Sequence, residues 1–143
     1  MGVTLVDSSV LIGWMYADDA LHEPCVNALD AELAERRSLA ISAITWAEVL
    51  TGAGADRVAR TSIEEFVVDT KARMIDVDRA TAEHAADLRR CHRGRARVGL
   101  PIADAIILAT GAVHDDIDRV LTADARWQRV AVAGARVCIV SAR

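Results

Sequence analysis

Residues 3–15 read VTLVDSSVLIGWM, and the way this stretch divides decides the fold. VTLV at 3–6 is a short apolar, β-branched run that ends at Asp7, and SVLIGWM at 9–15 then reads as helix. A buried parallel strand feeding a crossover has this form. The same unit recurs along the chain. LAIS at 39–42, RMIDV at 73–77, RVLT at 119–122 and RVCIV at 136–140 read as strands two to five. Between them, helices are predicted over 22–37, 44–53, about 57–70, 78–91 and 100–114, the second helix burying Ala28, Leu29, Leu33 and Ala34 along one face. Pro101 sits where a first helical turn tolerates it. The alternation predicts a three-layer α/β/α sandwich around a parallel, roughly five-stranded sheet. With no repeat, low-complexity tract or linker, residues 1–143 read as a single domain.

Composition narrows the chemistry. The three cysteines, Cys25, Cys91 and Cys138, are odd in number, widely spaced and without a C-x-x-C, so neither a disulfide framework nor a thiolate zinc site is expected. No uncharged apolar run approaches the length that spans a bilayer, and Asp7 interrupts the first apolar stretch, so a soluble, cytoplasmic protein without membrane association is expected. Net charge is -4, which argues against a partner held mainly by non-specific attraction to phosphates. The basic charge is nonetheless concentrated: RRCHRGRAR at 89–97 holds Arg89, Arg90, Arg93, Arg95 and Arg97 with no acid. This run reads either as the solvated end of a helix or as a surface for a phosphate backbone. Aromatic residues are 3% of the chain and scattered, which makes a base-stacking platform a poor fit.

Four acids stand out by position. Asp104 is the one ionisable side chain between Arg97 and His114, in LPIADAIILATGAV at 100–113. A helix N-terminus favours a carboxylate by about 0.3–1 kcal/mol, whereas an unpaired buried charge costs several, so Asp104 needs a cation. No lysine or arginine lies within a turn of it in sequence, although a distant arginine could serve. The other three have local explanations as well as functional ones. Glu48 completes a T-W-A-E capping box, Asp7 could cap the helix after it, and Asp124 lies in a polar turn suited to an Asx-turn. In a parallel sheet, ligands bind outside the carboxyl ends of the strands where strand order reverses. If strands one and four are neighbours there, Asp7 and Asp124 face one crevice.

Taken in order, LVDSSVLI, TWAEVL, LPIADAIILAT and VLTADARW carry a resemblance that covers essentially the whole chain. The sequence resembles a PIN-domain ribonuclease, specifically the VapC-type toxin of a bacterial type II toxin–antitoxin module. That resemblance implies an acid quartet, matching Asp7, Glu48, Asp104 and Asp124, that binds Mg²⁺ or Mn²⁺, with Ser9 and Thr122 at supporting hydroxyl positions. It implies RNA as substrate, products with a 5′-phosphate and a 3′-hydroxyl, a VapB-type antitoxin whose tail lies in a groove of the toxin, and a homodimer. Where the family commonly has Phe shortly after the last acid, this chain has Trp127. The residues themselves agree with a hard divalent cation, since oxygen ligands without His or Cys suit Mg²⁺ or Mn²⁺ rather than zinc.

Other classes fit less well. A phosphotransfer domain with an acceptor Asp would need a late lysine, and the one lysine is Lys71. A P-loop is excluded because no G-K pair exists. The four histidines show no ligand spacing and read as surface or helix-end residues. Two alternatives stay open: a PIN-fold binding module without catalysis, and an RNA-processing nuclease outside any toxin–antitoxin pair.

Overall fold

Val3–Val6 forms β1 and runs directly into α1, Ser8–Met15. The remaining elements follow in order as α2 (His22–Ala34), β2 (Ser38–Ser42), α3 (Ala43–Ala53), α4 (Arg57–Thr70), β3 (Arg73–Ile75), α5 (Arg79–His92), α6 (Ile102–Val113), β4 (Ile117–Thr122) and β5 (Arg136–Ile139). The computed structural model describes residues 2–92 and 99–142. All neighbouring strands are parallel and lie in the order β3-β2-β1-β4-β5. The order therefore reverses between β1 and β4, where Leu5 pairs with Val120 and Val6 with Leu121. This is the arrangement that brings the ends of the first and fourth strands to one crevice.

Both faces of the sheet are covered, so successive strand residues are buried in opposite directions. Val6, Leu39, Ile41 and Leu121 pack with Val10, Leu11, Leu29, Val49 and Ile63 of α1–α4. Leu5, Ala40 and Val120 pack on the other side against Ile107 and Leu108 of α6. The small residues Ala105 and Ala109 then let α5 approach through Ala85. Gly111 allows α6 to sit close on β4, because a Cβ there would lie 2.8 Å from Val120 Cγ2.

The expected elements are all present, with two differences. α2 ends at Ala34 rather than continuing to residue 37, because Arg36 takes a left-handed conformation (φ 57°) and turns the chain into β2. Its buried face is Cys25, Leu29 and Glu32, whereas Leu33 is exposed. Glu32 is kept there by cations: Arg119 Nη1 lies 2.6 Å from Oε1 and Arg37 Nε 3.1 Å from Oε2, and the Thr4 hydroxyl also donates to it. The second difference is a 3₁₀ helix, Ala125–Arg129, in the segment after β4.

Candidate active site

Asp7 follows β1 at the position that would cap α1, yet its side chain makes no cap hydrogen bond. It is turned inward instead and is 3% exposed. Oδ2 accepts from Ser9 Oγ at 2.6 Å and from Thr122 Oγ1 at 2.7 Å. Those hydroxyls are themselves held by the chain just past β4: the amide of Ala123 donates to Ser9 Oγ (2.9 Å) and the amide of Asp124 to Thr122 Oγ1 (3.0 Å). One network thus ties the end of β1 to the end of β4.

Glu48 projects from the middle of α3. That helix starts at Ala43 and is capped by Ser42, which accepts from the Ile44 amide, while the Thr45 hydroxyl is buried without a partner among the described residues. The capping-box explanation of Glu48 therefore does not hold. Its Oε1 accepts from Ser8 Oγ at 3.2 Å, and the same hydroxyl approaches Asp7 Oδ1 at 3.5 Å. Burial pushes the Glu48 carboxyl above its ordinary range, the Ser8 hydrogen bond opposes this, and the charges of Asp7 and Asp104 push it further up.

Asp104 lies half-buried in the first turn of α6. Among the described residues no arginine or lysine forms an ion pair with it; its one hydrogen-bond donor is the indole Nε1 of Trp127, 3.3 Å from Oδ2. Trp127 is 1% exposed, and a buried indole N–H needs an acceptor. Burial again raises the carboxyl above its usual range, the indole opposes this, and Asp7 and Asp124 add repulsion.

Asp124 behaves differently. Its Oδ1 accepts from the Arg126 amide at 2.9 Å and caps the 3₁₀ helix, so its expected turn role is real. The Arg126 guanidinium also grips the carboxylate, with Nε 3.0 Å from Oδ1 and Nη2 2.6 Å from Oδ2. That hydrogen bond holds the Asp124 carboxyl below its ordinary range.

The crevice thus gathers acids from the end of β1, α3, α6 and the segment after β4, close enough that neighbouring carboxylates push up the carboxyl pKa values of Glu48 and Asp104. Asp7 Oδ1 has only a long hydrogen bond, and Glu48 Oε2 and Asp104 Oδ1 have none among the described residues. Such oxygens suit a hard divalent cation. Among the described residues, no three acidic, histidine or cysteine side chains are drawn together tightly enough to enclose an ion as they stand. The crevice is an open one, and its carboxylates repel one another.

Ser9 and Thr122, expected as supporting hydroxyls, both donate to Asp7 Oδ2. Ser8 and Arg126 were not anticipated. Ser8 was hidden in a pair of adjacent serines, and the only sign of Arg126 was a cation two residues after an acid. Of the basic run, Arg89 Nε donates to the Leu100 carbonyl at 3.0 Å and Arg90 pairs with Asp87. Arg93, Arg95 and Arg97 lie outside the described residues. His22 and His92 each place Nδ1 against a backbone carbonyl, of Gly13 and Leu88 respectively. Cys25 is buried, and that burial, with Asp19 nearby, pushes its thiol up to about 11, so it is no nucleophile at neutral pH. A cavity of about 630 Å³ between the start of α2 and the ends of β4 and β5 is lined by Glu23, Asn27, Leu121 and Val140 among others, and by none of the four acids. No helix among the described residues is long and apolar enough to cross a membrane.

Comparison with known proteins bears on the fold. The fold is similar to that of a VapBC complex of Rickettsia felis bound to promoter DNA, with a TM-score of 0.73 and 14% identity over 94% of this chain and 98% of that one. A toxin–antitoxin complex from Klebsiella pneumoniae aligns with a TM-score of 0.71 and 25% identity, covering 96% of this chain and 98% of its counterpart. A VapC toxin of Mycobacterium tuberculosis that cleaves the sarcin–ricin loop aligns at 0.68 and 18%, covering 93% and 98%. No curated protein sequence is a significant match. The model of the PIN domain matches residues 4–133, a span that includes all four acids, both supporting hydroxyls and the β1–β4 junction, and the chain belongs to the PIN domain family.

Proposed function

We propose that this chain is a metal-dependent endoribonuclease and the toxin of a VapBC-type pair. The observation that carries the reading is the crevice itself: Asp7, Glu48 and Asp104, from three separate elements, converge at the strand-order reversal, each with a carboxylate oxygen that accepts no short protein hydrogen bond. Among the described residues, no lysine or arginine forms an ion pair with these three. Carboxylates drawn together, Asp7 buried and Glu48 and Asp104 partly so, are costly to fold, and a site that receives a divalent ion accounts for them. Asp7, Glu48 and Asp104 would hold the ion, with Asp124 joining them. A divalent ion held by these residues would supply water activation and charge neutralisation for hydrolysis of a phosphodiester.

The chain's own residues prepare that chemistry. Ser9 and Thr122 spend both hydroxyl protons on Asp7 Oδ2, which fixes the carboxylate and leaves Oδ1 facing the crevice. Ser8 orients Glu48, and Trp127 orients Asp104. RNA as substrate is supported by the sarcin–ricin-loop-cleaving relative. A VapB-type antitoxin as partner is supported by the toxin–antitoxin complexes among the similar structures. Pairing with a second copy of itself belongs to the same reading.

The test uses purified protein free of antitoxin. It should cut structured RNA with Mg²⁺ or Mn²⁺, lose that activity in EDTA and regain it when the metal is restored. Cleavage that continues unchanged in chelator would remove the metal from the mechanism.

A further inference from the structure

Among the described residues, Asp124 alone of the four acids forms an ion pair. The Arg126 guanidinium spans both carboxylate oxygens, with Nε 3.0 Å from Oδ1 and 3.1 Å from Oδ2 and with Nη2 2.6 Å from Oδ2. The acid is mostly enclosed (19% exposed), whereas the arginine side chain is 76% exposed. Arg126 therefore covers Asp124 from the solvent side and is held there by little besides the carboxylate. It can swing away without opening a hole in the core. The backbone beneath it is fixed, because the next residue is the buried Trp127. The cap on the 3₁₀ helix needs only the Arg126 amide, so the guanidinium is not required for the local fold. Carboxylate lone pairs directed at a guanidinium are not available to a metal, and a guanidinium beside the site also repels a divalent cation.

We propose that Arg126 is a built-in counter-cation of Asp124 that is exchanged for the divalent ion, so that Asp124 passes from the guanidinium to the metal and Arg126 sets the apparent metal affinity of the crevice. The inference rests on the metal-dependent reading above. An ion pair this exposed is a weak competitor, which is what an exchange requires: it lowers affinity by roughly two- to five-fold without blocking the site.

The experiment is isothermal titration of Mn²⁺ into chelator-stripped wild type, Arg126→Gln, Arg129→Gln and Asp104→Asn, with circular dichroism melts of each. Arg126→Gln keeps the capping amide and removes the guanidinium. Arg129 is exposed and belongs to the same 3₁₀ helix, so Arg129→Gln makes the same change in net charge away from the carboxylate. Arg126→Gln should bind Mn²⁺ roughly two- to five-fold more tightly than wild type, with Arg129→Gln close to wild type. Arg126→Lys, which keeps the charge but loses the two-pronged grip, should fall between, and it serves as the second variant if Arg126→Gln folds poorly. Equal or weaker binding by Arg126→Gln, or an equal gain in Arg129→Gln, would overturn the exchange while leaving the metal site in place. If wild type takes up no Mn²⁺, or Asp104→Asn binds it as wild type does, the metal-dependent reading fails and the exchange fails with it.

Discussion

Asp104 sets the terms at the scale of single residues. The helix dipole supplies roughly 0.3–1 kcal/mol, the indole of Trp127 supplies one hydrogen bond, and burial with two neighbouring acids works against its charge. Asp104→Asn keeps the shape and an oxygen for the indole while removing that charge. The metal-free variant should therefore melt at or above wild type. Wild type should gain about 2.7 kcal/mol at Mg²⁺ concentrations about 100 times Kd, and the variant far less. Calorimetric melts with and without Mg²⁺ check both. A metal-free variant markedly less stable than wild type would mean that Asp104 has a buried cationic partner. Asp104 was legible in the sequence because a lone carboxylate in an apolar helix has few explanations. Asp7, Glu48 and Asp124 each had an ordinary one, and only their common order singled them out. The Arg126 contact was not legible, since an arginine two residues after an aspartate is commonplace. Nor could the sequence say which acid a buried Trp127 would meet.

At the scale of elements, the end of α2 is fastened to the sheet by charge. Glu32 is buried beneath Arg119 of β4 and beside Arg37, which leads into β2. Glu32→Gln leaves Arg37 with Asp118 alone and Arg119 with Glu35 alone and should cost about 2 kcal/mol, read as a lower urea midpoint with an unchanged m-value. Arg37 also pairs with Asp118, and its hydrogen bond holds that carboxyl below the ordinary range. Such a group adds stability above the pKa of the unfolded chain and loses it as pH falls through its lowered native value. The margin of wild type over Asp118→Asn, small near neutrality because Asp118 is half exposed, should therefore close in strong acid. A margin independent of pH would show that the charge contributes nothing. The helices and strands were largely readable from their periodicity, but this fastening was not. Glu32 looks like one more polar residue on an amphipathic helix, and Arg119 lies 87 residues away. The spacing of Leu29 and Leu33 suggested a continuous apolar face, whereas the face that meets the sheet runs through Cys25, Leu29 and Glu32 and leaves Leu33 exposed.

At the scale of the whole molecule, an acidic chain is proposed to hold an acidic polymer, so its few concentrated cations matter. Arg89 and Arg90 have protein partners, whereas Arg93, Arg95 and Arg97 lie outside the described residues. Changing these three to Gln should reduce the slope of log affinity against log salt by about 2, given about 0.7 per single-strand phosphate contact. Fluorescence anisotropy with a labelled RNA measures it, and an unchanged slope would return the run to a solvated helix end. The β1–β4 junction has a consequence in time. Asp7 and Thr122 are hydrogen-bonded partners 115 residues apart. At synthesis rates of about 5–20 residues per second, Asp7 waits on the ribosome roughly 6–23 s for that partner. A nascent chain halted before β4 holds three of the acids but lacks the hydroxyl that fixes the first and the segment that carries the fourth. The order of the strands thus keeps the proposed site unassembled until β4 and the segment after it have been made.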